Sequence, residues 1–321
     1  MRTAGIICEF NPFHEGHKYL IDNVRRDLKP DAVVCIMSGN YVQRGYPALW
    51  NKWERAETAV KGGADLVLQM PVCVSLSSAE YFAKGAVDIA KGLCLNNLCF
   101  GSTEGDILSL IDKAKNGIEN IEDGNDILAC EYIRNLDDSI RPYTLKMDRS
   151  FGRASDIRKN YVNDFDIQLF KLLSYKIVSS NTDDLKKAPE VSEGLENRIL
   201  DVINTAEDLE SLIKGIKSKR YTYTRISRIL MQILLGIDSS TPQRSYAHLL
   251  AFNEKGKAFL SEYKHSGNDR VRIYSNISPD DCRENKDLAL DVRADDIYSV
   301  ICGKQIYSES DYVCKPHESN I

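Results

Sequence analysis

Short apolar runs and helical stripes alternate along the first part of the chain. Residues 3–10 (TAGIICEF), 32–37 (AVVCIM), 65–70 and 98–100 are apolar runs of strand length, too continuous to be one stripe of a surface helix. Between them, residues 17–28 place Leu20, Ile21, Val24 and Leu28 on one stripe and leave Arg25, Arg26 and Asp27 largely outside it. Residues 49–62 (LWNKWERAETAVKG) read as a second helix stopped by Gly62 and Gly63, and residues 77–92 as a third. Four strands joined by three helical crossovers predict a doubly wound parallel sheet, because right-handed crossovers lay helices on both faces. Ligands of such sheets gather at the carboxyl ends of the strands.

Beyond residue 105 the pattern thins. Residues 125–136 (NDILACEYIRNL) carry Ile127, Leu128, Tyr132 and Leu136 on one side of a helix; residues 164–178 and 194–213 are also helical, and 223–235 (YTRISRILMQILL) form a strongly apolar helix. The expected organisation is an α/β, Rossmann-like nucleotide-handling domain over residues 1–158, then a mainly helical domain over 159–321. From residue 275 onward the charges are mixed and no period emerges.

The 321 residues, 43% of them hydrophobic, suffice for packed cores, and no apolar run approaches a membrane span of about 18–20 residues. The opening MRTAGIICEF lacks the basic-then-apolar build of a signal peptide, so a cytoplasmic protein with no membrane partner is expected. Nine cysteines contain no C-x-x-C pair; Cys8, Cys35, Cys73, Cys94, Cys99 and Cys130 sit in apolar surroundings and read as reduced core thiols. A formal charge of −5 excludes a polycationic nucleic-acid packaging protein.

The sharpest local signal is NPFHEGH, residues 11–17, directly between the first strand and the first helix. A helix start offers unpaired backbone N–H groups and the positive end of the helix dipole, which suit phosphate. His14 and His17, three apart, share a side of that first turn, with Gly16 removing a side chain between them and Pro12 fixing the entry. Two plain histidines in a helix cap, or a metal pair, are the competing readings, although the H-E-x-x-H spacing of a zinc protease is absent. Three further segments add polar or glycine positions, the first of them leaving the second strand at the same rim. MSGNYVQRG (37–45) offers Ser38, Asn40, Gln43 and Arg44; FGS (100–102) offers Gly101, on which a flat base or ribose could lie; RASDIR (153–158) offers the capping residue Ser155 and Arg158. Each is, taken singly, also an ordinary turn or capped helix.

Read together, NPFHEGH, MSGNYVQRG, GADLVLQMP (63–71), SAEYFAKGAV (78–87), FGS, NDILACEY, RASDIR, GLENRIL (194–200) and KSKRYTYTRISRIL (217–230) resemble, in order and character, the bacterial tRNA(Met) cytidine acetate ligases. The resemblance runs from about residue 4 to residue 252. It implies a nucleotidyltransferase-type fold of the HxGH kind and an enzyme that uses ATP, with Mg2+, to activate acetate as acetyl-adenylate. The acetyl group then passes to N4 of the wobble cytidine in the anticodon loop of elongator tRNA(Met). By the same resemblance the ATP site draws on Ile7, Cys8, Glu9, Phe10, Asn11, Pro12, Phe13, His14, Glu15, Gly16, His17, Lys18, Tyr19 and Leu20, and on Gly101 and Asn125. Three positions depart from the family: Thr103 stands where Glu usually follows FGS, Gly124 where Ser often precedes the Asn, and Met147 where Arg follows the Pro-x-Thr-x-Lys stretch, with Arg149, two positions on, or Arg158 as the substitute. His14, His17, Lys18 and Arg158 are the expected catalytic groups. A plain nucleotidyltransferase acting on a small phosphorylated substrate, or an ATP- and RNA-binding module that has lost activity, remain as alternatives.

The net charge conceals one local feature. Lys214, Lys217, Lys219, Arg220, Arg225 and Arg228 fall in fifteen residues without a carboxylate, so the remainder of the chain totals −11. Tyr221 and Tyr223 lie within that run, and aromatic faces among cations suit the unpaired bases of an anticodon loop. Lys217, Lys219, Arg220, Tyr221, Tyr223, Arg225 and Arg228 are therefore the expected RNA-binding residues, against the simpler reading of a solvated basic face.

Overall fold

The computed structural model describes residues 1–118, 121–152, 154–161, 164–239, 246–268 and 270–319; of Arg149 and Ser155 only the backbone is described. The nucleotide-domain elements follow in the expected order: β1 (Thr3–Cys8), α1 (Glu15–Leu28), β2 (Ala32–Ser38), a hairpin of β3 (Tyr41–Val42) and β4 (Tyr46–Pro47), α2 (Lys52–Lys61) and β5 (Leu66–Met70). Then come α3 (Val72–Ser75), α4 (Ala79–Gly92), β6 (Asn97–Ser102), α5 (Ile107–Asn116), α6 (Gly124–Asn135), β7 (Arg141–Lys146), a 3-10 turn (Arg149–Phe151) and α7 (Ala154–Lys159). The remainder holds α8 (Phe165–Val178), α9 (Thr182–Leu185), α10 (Leu195–Ile203), α11 (Leu209–Ile216), α12 (Tyr223–Leu235), β8 (Tyr246–Phe252), α13 (Glu254–His265), β9 (Arg272–Tyr274), α14 (Pro279–Glu284), α15 (Lys286–Ile301) and β10 (His317–Glu318).

The sheet runs β10-β8-β5-β2-β1-β6-β7, with β9 also on β8. From β5 through β7 all neighbours are parallel. Strand β1 is the switch point: the chain builds β2 and β5 to one side of it, then crosses to lay β6 and β7 on the other, which opens a crevice outside the carboxyl end of β1. Both faces are covered. Val33, Cys35 and Met37 of β2 face the α1 and α2 side with Ile21, Val24 and Ala59, while Val34 and Ile36 face the side carrying Phe82, Val87 and Cys130.

The mainly parallel α/β class therefore stands, but the sheet does not end at residue 158. Strand β8 returns from the carboxyl-terminal half and pairs antiparallel with β5, with a register shift at Val67/Leu68, and β9 and β10 then join β8 in parallel. The physical reason is the free edge of β5, whose backbone groups lie among fully buried residues and need a partner. Nor do α8 to α12 have a core of their own. Leu169, Leu173, Ile199, Leu212 and Ile229 belong to the same apolar cluster as Phe82 and Leu98 beneath the sheet. The single helix expected over 194–213 is two, because Asp208 caps a new start, accepting from the Ser211 N–H at 2.7 Å. Of the six thiols read as core residues, Cys8 is only partly buried and Cys94 is exposed; all nine cysteines are free. Among the described residues no helix is long and apolar enough to cross a membrane.

Candidate active site

The rim at the carboxyl end of β1 is assembled by α1's own first turn. His14 is the helix N-cap: its Nδ1 accepts from the Gly16 N–H at 3.0 Å, and the Nδ1 of His17 accepts from the His14 N–H at 3.2 Å, closing a reciprocal capping box. This changes the expected anion chemistry. The helix-start amides of His14 and Gly16 are already used, and those of His17 and Lys18 bond the His14 carbonyl, so the donors left for an anion are the Glu15 N–H and the imidazoles. With both Nδ1 atoms accepting, each neutral ring carries its proton on Nε2. The two rings lie tilted against each other with centroids 3.8 Å apart, and His17 also packs edge-on to Phe10 at 4.9 Å. Burial, with His14 beside it, pushes the His17 pKa down to about 3; His14 is lowered too, again by burial. The pair is thus neutral at physiological pH, two N–H donors without charge.

Gly16 is required by this pair more directly than by a ligand. A Cβ there would stand 2.8 Å from Cε1 of His14. Phe13 docks similarly against Gly62, where a Cβ would be 2.3 Å from its ring, so the glycine that stops α2 also seats the NPFH loop. Asn11, buried, accepts from the Leu49 N–H through Oδ1 at 2.8 Å. Within the expected run, Ile7 and Phe10 are spent in the core, Leu20 and Cys8 pack against it, Pro12 is buried, and Glu15 and Tyr19 are exposed. Lys18 is exposed and ion-paired to Asp22 one turn on, at 2.7 Å.

Distant segments complete the rim. Arg158, half-buried, donates to the Asn11 carbonyl at 2.5 Å. Burial and the neighbouring Arg44 guanidinium hold its pKa below the ordinary arginine value. Arg158 on the Asn11 carbonyl, with Arg44 near it, puts two guanidinium groups at the loop that leads into α1, which suits phosphate. Phe151 stacks on Tyr19 at 5.1 Å and comes within 3.6 Å of where a Gly16 Cβ would be, so the turn containing Arg149 lies over the start of α1. The side chains of Arg149 and Ser155, and all of Arg153, lie outside the described residues.

The second flank of the crevice is the end of β6. An open cleft of about 590 Å3 is lined by Thr103, Lys146, Met147 and Asp148 at the carboxyl ends of β6 and β7. Met147 covers Gly101, its Cγ 3.0 Å from where a Cβ would stand. Asn125 is exposed in the first turn of α6, which is tied to β6 because Asp126 accepts from the Thr103 N–H at 2.7 Å. Gly101 and Asn125 thus share a rim.

The loop after β2 plays a different part from the one its polarity suggests. Ser38 and Asn40 are buried, and Asn40 accepts from the Lys52 N–H and donates to Asp295 at 2.8 Å. Gln43 donates its N–H to Glu9 at 2.9 Å, and only Arg44 remains exposed to meet an anion. Sequence reasoning missed two buried cations that hold these loops. Arg55 donates to the carbonyls of Glu9, Ser38, Gly39 and Trp50, stitching the ends of β1 and β2 together. Lys52 is fully buried between Asp295 and Asp311, the latter also 3.6 Å from His248. The signal was present: Lys52 and Arg55 fall on the same stripe as Ala56 and Ala59.

The basic run is brought together only in part. Lys217, Lys219, Arg220 and Tyr223 are exposed, but Tyr221 is 6% exposed, with its hydroxyl on the Ser192 carbonyl at 3.0 Å, and Arg228 is buried. Neither can offer a free face. The carboxylates absent from the run arrive from elsewhere: Glu210 pairs with Lys214, Glu193 with Arg220, and Glu190 with both Arg225 and Arg228.

This fold, with a paired-histidine helix start at its switch point, defines the class: the chain matches the family described as HIGH nucleotidyl transferase over residues 1–120 and 149–311. It is 33% identical to the tRNA(Met) cytidine acetate ligase of Clostridium perfringens (strain ATCC 13124), covering 98% of this chain and 99% of that one, and 31% identical to that of Clostridium novyi (strain NT), with the same coverage. The crystal structure of Thermotoga maritima TmcAL bound with α-thio ATP matches it with a TM-score of 0.90 at 26% identity, over 100% of both chains. The chain belongs to the tRNA(Met) cytidine acetate ligases, and with them to the ligases.

Proposed function

We propose that this protein uses ATP to activate acetate as acetyl-adenylate and transfers the acetyl group to N4 of the wobble cytidine of elongator tRNA(Met). The observation that carries the reading is the neutral His14–His17 pair at the start of α1, just after the switch-point strand, with Arg158 on the loop that leads into it and Arg44 near Arg158. The relatives' names supply the substrates, and the ATP analogue held by the Thermotoga maritima protein supports ATP as a ligand.

An acetate oxygen attacks the α-phosphorus and pyrophosphate leaves; the cytidine amine then attacks the acetyl carbonyl, loses a proton, and expels AMP. No protein nucleophile is needed, so the chain positions reactants and stabilises charge. His14 and His17 donate from Nε2 to phosphate oxygens as charge builds on them, and being neutral they do so without a proton to lose first. Arg158 and Arg44 balance the phosphate charge; the cleft beside Gly101, Asn125 and Met147 takes the base and ribose. Lys18 can reach a phosphate only by leaving Asp22; the side chain of Arg149, expected to stand in for the family's Arg, lies outside the described residues. Among the described residues no group of three His, Cys, Asp or Glu could hold a metal, so Mg2+ would be carried on the triphosphate oxygens. Lys217, Lys219, Arg220 and Tyr223 form the exposed part of the surface that meets the anticodon arm.

Incubation with ATP, acetate and tRNA(Met), followed by mass analysis of the nucleosides, tests the reading: N4-acetylcytidine and AMP are expected. A dinucleotide formed from a small phosphorylated substrate, with no acetylated nucleoside, would replace it with the plain nucleotidyltransferase. Binding of ATP and tRNA without pyrophosphate release would replace it with the inactive module.

A further inference from the structure

Apart from the ATP rim, a groove of about 560 Å3 opens between the α3–α4 turn, the segment before α10 and the helix α12. Its walls include Ser77, Tyr81, Glu190, Arg225, Arg228 and Gln232. The Glu190 carboxylate is held loosely from three sides: Oε2 accepts from Arg225 Nε at 3.1 Å and Arg228 Nη2 at 3.4 Å, and Oε1 from Arg228 Nε at 3.4 Å and Gln232 Nε2 at 3.5 Å. The Arg225 guanidinium lies over the Tyr221 ring, 4.6 Å from its centroid, which fixes its plane. Gln232, 2% exposed, spends its amide N–H on the Leu76 carbonyl at 2.7 Å and leaves Oε1 buried without a partner. Tyr81 is 52% exposed.

These groups suit a base edge that offers a donating amine beside accepting atoms. The guanidinium groups of Arg225 and Arg228 are matched in the lining by the carboxylates of Glu190 and Asp238, so the groove has no surplus positive charge to draw in a phosphate. Its size suits a nucleoside, and it sets an anionic acceptor beside planar donors next to an exposed aromatic ring. Cytosine presents the complement, an exocyclic amine that donates beside a ring nitrogen and carbonyl that accept. Uracil, with a carbonyl in place of the amine, would set oxygen against oxygen at Glu190. The groove also adjoins the chemistry. Gln43 donates to the Ser77 carbonyl at 3.4 Å and, through its own N–H, to Glu9 at the end of β1; the hairpin residue Gly45 sits on the backbone of Arg228, where a Cβ would lie 2.3 Å from its nitrogen.

We infer that this groove seats an unpaired cytosine of the RNA substrate, with Glu190 Oε1 giving up its 3.5 Å contact with Gln232 to accept from the exocyclic amine, Arg225 donating to the neighbouring edge atoms and Tyr81 stacking on its face. The inference rests on the RNA reading above and names the residues that discriminate the base. It is tested by measuring the affinity of the full-length protein for two anticodon stem-loop RNAs that differ only in cytosine or uracil at the wobble position. The wild type should prefer cytosine by about tenfold or more, and Glu190→Ala should bring the two affinities to within about twofold. Tyr81→Ala, at an exposed position, should weaken both RNAs by about tenfold and keep their ratio. Thermal unfolding of each variant establishes that it is folded. A cytosine preference that survives in Glu190→Ala overturns the proposal. So does an equal tightening of both RNAs in that variant, which would instead make Arg225 and Arg228 a phosphate site covered by Glu190. If the wild type binds both RNAs equally, the groove assignment fails alone; if it binds neither, the RNA reading fails with it.

Discussion

The start of α1 and the basic stretch from Lys214 to Arg228 both look, in the sequence, like collections of donors waiting for an anion, and the folded chain treats them oppositely. At α1 the partners of each imidazole Nδ1 are three residues away or fewer, so the ring that caps the helix keeps its Nε2–H for a ligand. In the basic stretch Arg220, Arg225 and Arg228 find partners at Glu193 and Glu190, some thirty residues back, and most of their charge is met inside the protein. The lesson concerns range. A local network declares what it leaves free, whereas a run of cations says nothing about the carboxylates that the fold will bring to it.

The comparison is broken most decisively at the imidazoles. Replacing both His14 and His17 with Ala should lower acetate-dependent ATP consumption by about a thousandfold or more, since each lost transition-state donor typically costs 10²–10³. A rate within about tenfold of the wild type would remove the pair from the chemistry. Next in size is the buried ion cluster that fixes the loop after β2. Asp311→Ala leaves Lys52 with Asp295 alone in a site closed to water, and should cost about 3 kcal/mol in urea unfolding; a loss under about 1 kcal/mol would show that the carboxyl-terminal segment is dispensable to that loop.

Acid should act on the same scale. The folded pKa of His17, about 3, lies below its ordinary value of about 6.5, so as pH falls the unfolded chain takes up the proton first. The stability tied to neutral His17 is complete above about pH 6.5 and is lost progressively toward pH 3, amounting to about 3 kcal/mol at pH 4. His248, pushed down to about 4 by burial, adds in the same direction. Unfolding free energies at pH 7 and pH 4 should therefore differ more in the wild type than in His17→Gln. A smaller effect is expected from Gly16→Ala, whose new methyl group must displace the His14 ring. KM for ATP should rise by about tenfold with little change in melting temperature. The smallest should come from the basic stretch. Lys219→Glu with Arg220→Glu should weaken tRNA binding by about three- to tenfold and flatten its salt dependence, whereas Arg228→Ala should register mainly as lost stability.

Much of the fold was legible because it is written in local patterns. The strand runs 3–10, 32–37 and 65–70 and the stripe Leu20, Ile21, Val24 and Leu28 each report their own burial within a few residues, and the observed β1, β2, β5 and α1 coincide with them to within a residue or two. Strand β8 was not legible: its residues continue an apolar pattern that any buried segment could carry, and only the open edge of β5 makes it a strand of this sheet. The same limit explains Lys52 and Arg55. A cation on an apolar stripe is visible, but the four carbonyls that satisfy Arg55 and the two aspartates around Lys52 come from loops and helices separated from α2 by up to some 260 residues.

By itself the sequence determined the first strands and the helices between them, the histidine pair at a helix start and the family to which they belong, because period, capping and loop position are encoded by near neighbours. Only the tertiary structure decided which donors of the basic stretch remain free. It buried Tyr221 and Arg228, set Glu190 among two arginines and a glutamine, and returned the chain to the open edge of the sheet. Each of those outcomes depends on residues far apart in sequence sharing one desolvated space, where every charge and hydrogen-bonding group must find its partner in whatever segment the packing brings beside it.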